Sequence, residues 1–124
     1  MLSDYNIFAT VAVKDLQAGK KFYGETLGLV KMDENPAGVM YKSGNGKLFV
    51  YMSPTAGSGE ATCASWEVDD IEYAIEALKA KGIEFERYDF PGVTRQGDVH
   101  IFGKMKSAWF KDPDGNVLNL GCSS

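Results

Sequence analysis

The sequence predicts an α+β fold built from two successive modules, each a strand, a helix and three further strands. Three observations predict it. "FATVAVKDLQAGKKFYGETLGL" joins an alternating apolar segment to a helix that opens on Asp and closes on Gly. "CASWEVDDIEYAIEALKAKGIEF" repeats that order in the second half. Each half then ends in short β-rich segments joined by glycine-containing turns, "SGNG" and "DPDGN". A repeated unit of this kind sets the architecture before any single residue is weighed.

The chain has 124 residues, the length of one ordinary domain (1–124), with the first module at 1–55 and the second at 61–124. Residues 8–13 alternate around β-branched positions and read as a strand. Asp15 is a helix N-cap. The helix runs over 16–26, with Leu16, Phe22, Tyr23 and Leu27 as its apolar positions and Gly28 as its stop. Strands follow at 30–33, 39–43 and 48–52, with "SGNG" as a hairpin turn. Residues 53–61, "SPTAGSGEA", form a flexible connection.

In the second half, residues 63–68 are the strand. Asp69 and Asp70 both offer a cap, and Glu72 stands three after Asp69 as in a capping box. Ile71, Ala74, Ile75 and Leu78 have the spacing of a buried helix stripe, and Gly82 ends it. Strands are expected at 83–88, 107–111 and 117–120, with a long loop at 89–106 that holds the extra length of this half.

Alternation assigns Val11, Val13, Trp66, Val68, Leu118 and Leu120 to the face under the helices. Phe8, Thr10, Ala12, Cys63, Ser65, Glu67, Val117 and Asn119 take the opposite, more polar face. With Phe110 in the core, Trp109 joins that second face. Tyr41, Tyr51 and Tyr88 are further aromatic candidates there.

Composition excludes several classes. A net charge of −4 with scattered Lys and Arg argues against nucleic acid and anionic membranes as partners. No apolar run approaches the ~20 residues of a membrane span, and "MLSDYNIF" lacks the pattern of a signal peptide. Two distant cysteines, Cys63 and Cys122, are expected to be free thiols in a cytoplasmic protein. A single histidine, His100, excludes any site that needs two from one chain.

"VAVKDLQAGKKFYGETLGL", "WEVDDIEYAIEALKAKGIEF" and "AWFKDPDGNVLNL" together resemble the vicinal oxygen chelate superfamily of glyoxalases, bleomycin-resistance proteins and extradiol dioxygenases. The resemblance implies that the two βαβββ modules curl into an open eight-stranded, barrel-like cavity. It also implies a homodimer that closes the cavity. In metal-dependent members, His and carboxylate ligands stand at four cavity positions. Aligning Asp15 with Asp70 and Gly46 with Gly115 places these on Phe8, Val50 (or Tyr51, one residue on), Cys63 and Asn119. This donor set suits no common metal.

The expectation is therefore a protein with no metal and no cofactor that binds a small organic ligand. Its candidate ligand-binding residues are Phe8, Thr10, Val50, Tyr51, Cys63, Ser65, Glu67, His100, Trp109 and Asn119. The 89–106 loop would bring His100 or Phe102 to the cavity mouth. A lyase- or isomerase-type enzyme using Glu67 or His100 as acid/base is the alternative. An interaction module with a vestigial cavity is a third.

Overall fold

Ten strands form two sheets in the computed structural model, which describes residues 1–123. After a 3-10 turn at Leu2–Asp4 come β1 (Ala9–Val13) and α1 (Leu16–Lys20). Asp15 caps α1 by accepting hydrogen bonds from the Gln17 and Ala18 amides at 2.9 and 3.5 Å. The helix loosens into a π-helical stretch, Lys21–Thr26. Strands β2 (Val30–Asn35), β3 (Gly38–Ser43) and β4 (Gly46–Met52) complete the first module. The second comprises β5 (Thr62–Glu67), α2 (Ile71–Lys79), β6 (Phe85–Glu86), β7 (Thr94–Gln96), β8 (Val99–Phe102), β9 (Met105–Lys111) and β10 (Val117–Ser123).

The first sheet has the order β1-β4-β3-β2, and the second β5-β10-β9-β8-β7. In both, the strand before the helix runs parallel to the last strand of its module. β6 and β8 share one edge of β9: β6 pairs with Trp109 and Phe110, β8 with Met105, Lys106 and Ser107. β6 is thus the counterpart of β2, and the β7–β8 hairpin is an addition.

Here the expected long loop is corrected. Much of 89–106 is a hairpin turning at Gly97-Asp98, where Gly97 takes φ of 63° as the first residue of a type II′ loop requires. His100 is a strand residue. The strand expected at 83–88 shrinks to Phe85–Glu86, because β8 takes over the edge of β9 beyond it. Of the two caps the sequence offered, Asp70 is the one used, accepting from the Tyr73 amide at 3.0 Å; the capping box is corrected, because Glu72 pairs with Lys106 instead.

The strand phase read from alternation stands for β1, β10 and the Trp66–Val68 end of β5. Val11, Val13, Val39, Leu48 and Val50 are buried with Phe22 and Tyr23 of the first helix. Ala108, Phe110, Leu118, Leu120 and Cys122 are buried with Ile71 and Ile75 of α2. Trp66 and Val68 pack on the same core from half-buried positions, and the Trp66 indole donates to Ser43 Oγ at 3.0 Å.

The two halves share this core, and polar bonds lock them. β1 lies beside β5. The β9–β10 turn docks on the first module. Tyr23 donates its hydroxyl to Asp112, and Asn116 Nδ2 donates to the Ala12 carbonyl, both at 2.7 Å. Asp112 Oδ1 accepts from the Asp114 and Asn116 amides, so the "DPDGN" turn is organised around one buried carboxylate.

Candidate functional site: an aromatic wall on the second sheet

Residues paired directly across strands share a face, so the ladders define the side of the second sheet away from the core. One row reads Glu67, Gly121, Ser107, His100 and Arg95. The next reads Ser65, Asn119, Trp109 and Glu86. The third reads Thr62, Val117 and Lys111. Glu67 and His100 thus share a row but stand three strands apart, about 14 Å at ordinary strand spacing.

A cavity of about 750 Å³ opens on this face. Tyr88, Phe90 and Trp109 form its aromatic side; Thr62, Val117 and Lys111 form its floor; the glycine-rich segment 57–61 forms its rim. Trp109 is fixed by an indole hydrogen bond to Thr62 Oγ1 at 3.1 Å. The Phe90 and Phe102 rings meet Trp109 at centroid distances of 5.7 and 6.2 Å. Lys111 is held by Glu86 at 3.5 Å.

His100 lies behind that wall with no exposed surface. Its Nε2 accepts from the Tyr88 amide at 2.9 Å, and its Nδ1 has no partner. The Nε2 lone pair is needed for the first bond, so the proton sits on Nδ1. A buried donor left unmatched costs about 1–3 kcal/mol.

The other sequence candidates scatter. Val50 is a correction: it is fully buried on the core side, paired with Val11 and Val39. Tyr41 is buried there as well. The first sheet's opposite face carries Thr10, Phe49 and Tyr51, whose two rings stack at 6.1 Å. Thr10 pairs with Phe49 as Ser65 pairs with Asn119, so Phe49 is the true counterpart of Asn119. Alignment on the turn glycines missed it because the Gly44-Asn45 turn is shorter than the 112–116 turn, and a one-residue slip inverts a strand.

Phe8 precedes β1 and is half exposed. Cys63 is the extra residue of a β-bulge, since the ladder passes from Thr62 to Ala64 opposite Val117 and Leu118. Its thiol donates to the Val117 carbonyl at 3.5 Å, and burial, then the charge of Asp112, push its pKa up. A raised thiol is not an activated nucleophile. Asn119 donates to the Ala108 carbonyl at 3.3 Å. None of the first-module candidates borders the cavity, which belongs to the second module and the connecting segment. The sequence missed Thr62 and Phe90, one shifted by the bulge and the other placed in a loop of unknown pose.

This α+β architecture of paired βαβββ modules is that of a known family. The chain matches the Glyoxalase/Bleomycin resistance protein/Dioxygenase superfamily over residues 7–120, and it belongs to that superfamily. Among solved structures it is similar to a glyoxalase family protein from Enterococcus faecalis, with 25% identity, a TM-score of 0.72, and 98% of this chain and 99% of that one covered. It is also similar in fold to a lactoylglutathione lyase from Agrobacterium tumefaciens (18% identity, TM-score 0.69, 94% and 92% covered). A third is the fosfomycin resistance protein FosX from Listeria monocytogenes (16% identity, TM-score 0.67, 97% and 91% covered). No curated protein matches the sequence.

The four positions that the resemblance assigns to metal ligands, with Phe49 now in place of Val50, carry Phe8, Phe49, Cys63 and Asn119. Two offer no donor atom, one a protonated thiol and one a single neutral amide oxygen, that of Asn119, whose nitrogen donates to the Ala108 carbonyl. Hard and borderline divalent ions want nitrogen or anionic oxygen. The residues do not fit a metal at that place. Among the described residues, no group of three His, Cys, Asp or Glu side chains is arranged to hold one elsewhere.

Proposed function

We propose that the protein binds a small, flat organic molecule on the aromatic wall of the second sheet, without a metal. The observation that carries this reading is the cavity of about 750 Å³ with Tyr88, Phe90 and Trp109 along one side. Its volume is in the range of small-molecule sites, and its three aromatic rings facing polar residues such as Ser58, Glu60, Thr62 and Lys111 suit a planar ligand with polar substituents. Neither Glu67 nor His100 borders it, which favours binding over acid/base catalysis by those residues.

A second copy closes the site in this reading. Val30, Met32 and Met52 leave about half their surface or more exposed on the first sheet, next to the unpaired Phe49–Tyr51 face. Such apolar exposure suits a partner surface.

A thermal-shift screen of aromatic metabolites and antibiotics, run in EDTA, tests the proposal. A true ligand at 100 times its Kd stabilises the fold by about 2.7 kcal/mol. Stabilisation that appears only when a divalent metal is supplied would overturn the metal-free reading.

A further inference from the structure

We infer that the cavity selects an aryl carboxylate, with Lys111 as its counter-ion and the Thr62 hydroxyl as a second donor. The inference rests on the binding reading above and narrows it. The ladders put Thr62, Val117 and Lys111 in one row across the cavity floor. The two polar members stand two strands apart, about 10 Å at ordinary strand spacing. Both lie on the cavity surface, so a ligand reaches them without any opening of the fold.

Each end of the row has a donor to give. The Thr62 hydroxyl accepts from the Trp109 indole at 3.1 Å. Among the described residues, its own proton goes to no protein group. A hydroxyl that accepts on one side keeps its O–H for another partner. Lys111 contacts Glu86 at 3.5 Å, longer than the 2.6 Å between Lys79 and Asp98. The ammonium has three donors, and a partly exposed pair of this kind holds it weakly. Lys111 lines the cavity and Glu86 does not. An anion lying over Val117 therefore has a cation on one side and a hydroxyl on the other. Trp109 stands two residues before Lys111 on β9 and shares its face, which gives the ligand's ring its contact surface. One lysine matches a single charge, and a carboxylate keeps the plane of the ring that bears it. Glu60, the other charged lining residue, is exposed on the rim.

Three probes with one ring system separate the terms: 2-naphthoate, its neutral counterpart 2-naphthamide, and the cation 2-naphthylmethylammonium. The net charge of −4 by itself favours the cation. Calorimetry is nevertheless expected to show naphthoate binding about tenfold tighter than naphthamide, the margin of a charge-assisted hydrogen bond over a neutral one. Lys111→Met is expected to bind naphthoate and naphthamide alike, and Lys111→Arg to keep the preference. Glu86→Gln, which removes the competing carboxylate, is expected to tighten naphthoate and leave naphthamide unchanged. Equal wild-type affinities for naphthoate and naphthamide would overturn the carboxylate inference and leave the aromatic site standing, as would tightest binding of the cation. A naphthoate preference that survives in Lys111→Met would overturn it as well. Binding of none of the three probes would overturn both readings.

Discussion

Tyr23 donates its hydroxyl to Asp112 at 2.7 Å across 89 residues of sequence. Tyr23 lies in the helical segment of the first module and Asp112 in the β9–β10 turn of the second, so this bond fastens the first module to the half that holds the cavity. Both side chains are buried.

Tyr23→Phe removes one donor from a buried carboxylate that keeps Asn116 and two amides. The expected cost is about 1.5–3 kcal/mol, as for a hydrogen bond to a charged group, read as a lower urea midpoint with an unchanged slope. Burial, then the charge of Asp112 and the bond to it, push the phenol far above its ordinary range. A raised folded pKa contributes stability below the unfolded value and loses it as pH rises. Wild-type stability should therefore fall from about pH 10 upward, and Tyr23→Phe should lose that part of the alkaline decline.

Asp98 gives the acid side. It sits in the turn of the added hairpin and takes Lys79 of α2 at 2.6 Å and Arg87 at 3.0 Å. Burial alone would raise its pKa, but the bonds from those two cations outweigh it and hold the carboxyl low. A depressed folded pKa contributes stability above the unfolded value, about 3.9, and loses it as pH falls through the folded one. Asp98→Asn should cost about 1–2 kcal/mol at neutral pH, limited by the half-exposed cations, and should flatten the decline below pH 4 in acid titrations.

Much of this fold could be read from residues. Helix caps, turn glycines and the buried phase of β1 and β10 are local signals, and Val11, Val13, Leu118 and Leu120 lie where alternation puts them. What escaped depends on long-range pairing. The β7–β8 hairpin has too few residues per strand for a clear period, and its place is set by the free edge of β9. Val50 and Phe49 exchanged roles because turn length, which shifts the register by one, is not visible in the strand itself. His100 looked like a loop residue because nothing near it in sequence announces Trp109, its nearest ring.

The donor set at Phe8, Phe49, Cys63 and Asn119 leads to a prediction about metal. Elemental analysis of purified protein should find no stoichiometric zinc, nickel, manganese or iron, and EDTA should leave the melting temperature unchanged. About one ion per chain, lost together with stability on chelation, would refute the reading of those four positions.

The most direct measurement of the central claim uses the two tryptophans, which lie on opposite faces of the second sheet. In Trp66→Phe protein, Trp109 is the only indole left. Its emission can be followed in EDTA during titration with the compound that most raises the melting temperature. The account predicts a saturable change in Trp109 emission, with a midpoint matching the thermal stabilisation. Emission that stays constant while the protein is stabilised, or that responds only after a divalent metal is added, would contradict it.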